Sequence, residues 1–299
     1  MTVRTRNRLI TFSILAGPFV FFLGLLLFWD AEPLPPVPPL PNPNGYDSLV
    51  KAGNMVSNDF DDYDELSPAK LSELTNKDAE AFQTTRTGLQ QECRVPLDYS
   101  ATSLAHLDQL TALKRLAIAV TAEGRLAEKE NRTSDAAKFY LDVIDLGNES
   151  SRGGIILDQL VGTAIEVNGV SHLQKLVDQL DAKSCREAAR TLETLDSQRQ
   201  TWDEVMQQER DWSRRTFTGI RYGLVRVMSR NSLNKVYQSA EQKFDAQQIK
   251  TRQLIIDLAA RAYQLDKGHP PANLADLVPD YLKAIPQDPL TGTNMVYSP

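Results

Sequence analysis

The chain has 299 residues, with 39 acidic against 33 basic side chains and a formal net charge of −6. That balance argues against a general nucleic-acid binder, which needs a basic face for phosphates. Only 15 glycines, among abundant Ala, Leu, Glu, Gln and Lys, favour helix over a sandwich or barrel.

Residues 1–8 carry Arg4, Arg6 and Arg8 and precede Leu9–Trp29, an uncharged apolar run followed by Asp30 and Glu32. About 20 apolar residues suffice for a helix to cross a bilayer. The positive-inside rule places the short head in the cytoplasm and the bulk outside, the periplasm in a bacterial envelope. A cleaved signal peptide is the alternative. The run exceeds the 7–15 residues usual there, and no small-residue cleavage site follows, so an uncleaved single-pass anchor is expected.

Residues 30–43 form a linker. Seven prolines in Pro33–Pro43 forbid helix and favour the extended polyproline form, a stiff spacer of roughly 30 Å. A docking peptide for a proline-reading domain is the other reading.

An all-α ectodomain of antiparallel neighbours is expected over 44–252. Its acidic run Asp59–Glu65 resembles a calcium loop in a frame from Asp62 to Glu73, but Leu66 and Ser67 break the pattern where an oxygen ligand and Gly are needed. A solvated, flexible loop is expected instead. Ser67 before Pro68 starts a helix that runs to about Gln91. Ser103–Glu130 is the clearest amphipathic helix, with Leu104, Leu107, Leu110, Leu113, Ala117 and Val120 on one stripe. After Asn131–Thr133, Ser134 caps a helix ending near Gly147. Gly124, Ala136 and Tyr140 have the spacing of packing residues in a tetratricopeptide repeat, which this hairpin resembles. Val120 stands where that repeat usually has Trp, and no second copy follows: Asp158 takes the Gly position.

Gly153–Leu180 reads as two helices broken at Asn168–Gly169. Capping boxes at Ser184–Glu187 and Thr201–Glu204 predict helix starts at Cys185 and Trp202. Cys93 and Cys185 would sit in an oxidising compartment, where a bridge closing a long loop is one reading and two buried thiols the other. Arg210, Arg214, Arg215, Arg221, Arg226 and Arg230 stand out, with Asp211 the one acid among them and apolar residues interleaved. They form either a surface for anionic headgroups or polymer, or a packed helix whose arginines pair with acids elsewhere.

In 253–299, Gly268 ends a helix, Pro270 and Pro271 forbid its continuation, and Asn273 caps a short helix with Leu274, Leu277 and Val278 inward. Tyr263, Leu265, Asp266, Gly268 and Pro271, then Leu274, Leu277, Pro286, Asp288, Pro289, Gly292 and Tyr297, follow a pattern that resembles the tail of the major pseudopilin of type II secretion, general secretion pathway protein G. The resemblance implies an irregular closing segment and carries a calcium role over to Asp288. The processing site and the helix Glu of that family are missing: Pro18 follows Gly17, and no Glu lies in Leu9–Trp29. The tail therefore reads as a pseudopilin-like motif on a different ectodomain.

No catalytic motif and no cofactor signature is present. His106, His172 and His269 lie far apart, without metal-ligand spacing, and no nucleophile elbow, Walker loop or dinucleotide fingerprint occurs. The expected role is protein binding or scaffolding in the envelope. A hydrolase of envelope polymer using acidic residues, and a secretion-system accessory protein, are the alternatives.

Overall fold

The computed structural model describes residues 34–60, 62–100, 105–217 and 220–296, the side chains of 220–232 excepted. Nine α-helices follow one another among these: α1 (Gly45–Met55), α2 (Pro68–Lys77), α3 (Ala79–Leu89), α4 (Ala105–Lys129), α5 (Thr133–Ser151), α6 (Ile156–Leu176), α7 (Ala182–Gln198), α8 (Trp202–Thr216) and α9 (Ile220–Lys267). Short 3₁₀ turns occupy Val177–Gln179 and Leu274–Leu277. The fold is mainly α; among the described residues the β pairing is one isolated bridge between Gln287 and Asn294. None of the described helices is long and apolar enough to cross a membrane, and the segment Leu9–Trp29 lies outside the described residues.

Local signals account for several helix starts. The Ser67 hydroxyl accepts from the Lys70 N–H with Pro68 at the first helical position, and Thr201 with Glu204 forms a reciprocal capping box. Asn273 caps the last turn through the Ala275 N–H. Ser184 does not start a helix. Asp181 lies three residues upstream, its carboxylate accepts from the Ser184 N–H, and α7 begins at Ala182. Ser134 likewise sits inside α5, where its hydroxyl meets that of Ser184. The helix expected over 68–91 is divided at Asp78, whose carboxylate turns back onto Ser57.

Two glycines read as helix ends are helix contacts instead. A Cβ on Gly147 would lie 2.6 Å from the Gly162 carbonyl oxygen, and one on Gly169 would lie 2.7 Å from Ile144 Cγ1. Bare backbone at these positions lets α5 and α6 approach closely, so α5 continues to Ser151 and α6 runs unbroken through Asn168–Gly169. In the same way Gly124 meets the ring of Tyr140, bringing α4 against α5.

These three helices carry apolar residues to two cores. One gathers α1, α2, α3 and one side of α4, with Tyr46, Leu49, Phe60, Leu71, Leu113 and Leu116. The other joins α5, α6, α7, α9 and the tail, with Tyr140, Leu173, Leu192, Leu254, Leu277 and Leu282. Of the stripe read on α4, Leu110, Leu113, Ala117 and Val120 are buried, Leu107 is 48% exposed, and Leu104 lies outside the described residues. Residue 252, expected to close the ectodomain, falls inside α9, and the tail beyond it packs on the same core. Arg186 joins Asp266, Tyr281 donates to Asp266, and the Lys283 N–H reaches Glu193.

The acidic loop is held, contrary to its expected flexibility. Phe60 is buried edge-on to Phe82, Asp64 meets Arg125 at 2.6 Å, and the Tyr63 hydroxyl meets His172 Nε2 at 3.1 Å. The proline-rich segment also touches the domain: Arg215 donates to the Pro35 carbonyl and lies over the Tyr99 ring.

Candidate functional site

A cleft of about 690 Å³ opens between several helices. Leu89 at the end of α3 and Gln90–Glu92 with Arg94 form one wall. Asp145 and Glu149 of α5, with Arg152 just beyond that helix, form the floor. Leu195 and Gln198 of α7, Arg199, Gln200 and Glu204 of α8 close the far side. Polar side chains predominate in this lining. Binding by hydrogen bonds and charge fits it better than an apolar ligand does.

Each charge in the cleft has its own environment. Arg199 and Glu166 are 5% and 2% exposed and joined to one another. Burial pushes the Glu166 carboxyl up, and the Arg199 guanidinium beside it opposes that rise. Arg199 also lies over the Phe244 ring. Arg152 forks onto Glu149, its Nε 3.1 Å from each carboxylate oxygen, and donates to the Gln198 carbonyl. The two arginines facing the cleft from this side are thus already matched by carboxylates. Asp145 differs: among the described residues it has no hydrogen bond or ion pair. Burial, then repulsion by Glu149 and Asp142, pushes its carboxyl up to about 7, well above the ordinary carboxylate range.

Beside the cleft a recess of about 10 Å³ shares Arg152, Gln198, Arg199 and Gln200 with it and is also lined by Asn148, Ser151 and Gln159. Asn148 is 8% exposed, and its Nδ2 has no hydrogen-bond partner among the described residues.

One turn back along α5, Asp142 shares Arg86 with Glu123 of α4. Burial leads the rise of both carboxyls, Glu123 to about 7 and Asp142 to about 6, with Arg86 opposing it. Arg86 also lies over the Phe139 ring.

The residues singled out in the sequence lie mostly elsewhere. Cys93 and Cys185 are both free and buried, one in each core, so the bridge reading is replaced by two packed thiols. Burial pushes Cys93 well up and Cys185 up to about 11, which leaves neither as a thiolate at neutral pH. Arg210 donates to Gln207 and Arg215 to Pro35. Arg214 shares α8 with them, while Arg221, Arg226 and Arg230 fall on α9 with side chains outside the description. Asp288 sits in the tail turn, where its Oδ1 accepts from the Leu290 and Thr291 N–H groups. Among the described residues no group of three or more His, Cys, Asp or Glu side chains is placed to hold a metal. The histidines are separate: His106 faces buried Asp158 at 2.8 Å, His172 stacks on Tyr140, and His269 meets the Pro270 carbonyl.

Sequence reasoning missed the cleft because its residues come from three distant chain segments, Leu89–Arg94, Asp145–Arg152 and Leu195–Glu204. One signal was available. Asp142 and Asp145 recur at helical spacing on a helix that the sequence does predict, and Glu149 continues the spacing just past its expected end at Gly147. Comparison with protein-family models, curated proteins and solved structures finds no match for the chain.

Proposed function

We propose that the protein is a single-pass envelope protein, anchored by Leu9–Trp29, that binds an extended segment of another polypeptide in the cleft between α3, α5, α7 and α8. The observation carrying this reading is the cleft itself: about 690 Å³, rimmed by glutamines and charges that pair with backbone amides as readily as with side chains. In this reading the pseudopilin-like tail is structural, supported by its packing on the second core.

The test is photo-crosslinking in intact cells from Gln90 and Gln198, exposed residues on opposite walls, with Lys183 at the far end of α7 as control. One defined partner captured from both walls and not from Lys183 is the expected result. Absence of any species specific to the walls overturns the reading. Amino-terminal sequencing of the membrane-bound form tests the anchor, and a start near residue 31 removes it.

The hydrolase reading has one observation in its favour, the Asp145 carboxyl near 7 in a cleft, where a general acid would be poised. Against it, Glu149, its neighbour in the cleft, is committed to Arg152. Release of reducing ends from purified wall polymer, lost in Asp145→Asn, would put the hydrolase first.

A further inference from the structure

Asp145 and Glu149 of α5 line the cleft, and Asp142, one turn back and outside it, extends them into a row of carboxylates. Asp142, Asp145 and Glu149 follow one another three and four residues apart. At each end of the row a guanidinium of the chain itself is seated: Arg86 on Asp142 and Arg152 on Glu149. Asp145, between them, faces the cleft without one. We infer that the middle place is filled from outside: the bound polypeptide seats a lysine or arginine on Asp145, with a carbonyl oxygen next to it at Asn148. This rests on the polypeptide-binding reading above and gives it a specificity.

Two observations beyond the acidic row support the inference. The buried Asn148 amide has an Nδ2 with no partner, and the recess it lines has room for a single oxygen atom. Asp145 and Asn148 are three residues apart on one helix, ~5–6 Å between Cβ atoms, a gap that one basic residue's cation and backbone carbonyl can span. The remaining charges exclude the opposite ligand. Arg152 and Arg199 are neutralised by Glu149 and Glu166, so an acidic side chain would enter the cleft against Asp145, Glu92 and Glu204 with Arg94 as its one unmatched counterion.

The probe is a dye-labelled peptide, acetyl-Gly-Gly-Lys-Gly-Gly-amide, titrated against the full chain in uncharged detergent and followed by fluorescence anisotropy. Its Nε-acetyl-lysine counterpart is the neutral control. The lysine peptide binds more tightly, by about ten-fold, the order expected for a cation on a partly buried carboxylate. Asp145→Asn removes that preference and leaves the thermal midpoint unchanged or higher, since it deletes a buried charge without changing shape. Asn148→Ala weakens both peptides alike, because both carry the carbonyl. Equal binding of the two peptides by the unmodified protein overturns the cation site while leaving polypeptide binding in place. Binding of neither peptide, together with no crosslink from Gln90 and Gln198, overturns both.

Discussion

Single side chains set the pH response. Asp142, Asp145 and Glu123 all hold their protons more tightly folded than unfolded, because burial disfavours the carboxylate. The folded state therefore binds more protons across the interval from about 4 to 7, and stability falls as pH rises through it. His106, drawn up by its hydrogen bond to Asp158, has the same sign: its contribution is present below about 6.5 and lost as pH rises through its folded value. His172 opposes them, since burial favours its neutral ring and its contribution is lost as pH falls below about 6.5. Burial also raises Glu166, Glu209 and Asp245, so these groups outweigh His172 and the thermal midpoint is higher at pH 5.5 than at pH 7.5; Asp145→Asn flattens that slope, and a midpoint that climbs with pH would contradict the assignment. The Glu166–Arg199 pair gives a sharper test. Glu166→Ala leaves the buried guanidinium with Asp196, 4.0 Å from its Nε, as its remaining counterion, a loss toward the lower end of about 3–5 kcal/mol in denaturant unfolding. Glu166→Ala with Arg199→Met costs much less, because no charge is then stranded.

At the scale of elements, the crossing of α5 and α6 depends on what is missing from Gly147, Gly162 and Gly169. Alanine is worth ~1 kcal/mol over glycine in a helix, so propensity alone makes Gly147→Ala stabilising. Its Cβ would lie 2.6 Å from a backbone carbonyl that cannot rotate away, and overpacking of that kind costs about 1–3 kcal/mol or more. The clash wins, and urea unfolding of Gly147→Ala shows a lower midpoint than the parent. The same glycines explain why helix ends were misread. A glycine in a helical pattern signals either a cap or a contact, and only the partner helix tells which. Ser67, Thr201 and Asn273 were legible because a cap is completed within three residues of chain. Ser184 looked equally good, but Asp181 lay one turn earlier and took the role.

For the molecule as a whole, helical class and the inward faces of α4 and the tail were legible from composition and periodicity. The division at residue 252 was not, because a long helix carries both sides of it into one core. Ending the chain after Lys267 would remove Leu274, Leu277, Tyr281 and Leu282 from that core. At ~1.5–3 kcal/mol for each large side chain, the loss rivals a domain's whole margin of about 5–15 kcal/mol. The shortened protein is expected to lose its cooperative thermal transition, and a retained sharp transition would mean that the tail is an appendage. The cleft was illegible for the complementary reason: no single stretch of chain holds two of its walls.

The bond from Arg215 to the Pro35 carbonyl changes how a tethered domain would meet its partners. A free proline spacer would let the domain sweep a hemisphere above the bilayer. With Pro35 held against α8, only residues 30–34 separate the domain from Leu9–Trp29, and five extended residues reach at most about 18 Å. In the proposed anchored protein such a domain would explore a thin layer along the surface, and its encounters would become a lateral search among neighbours in the same membrane.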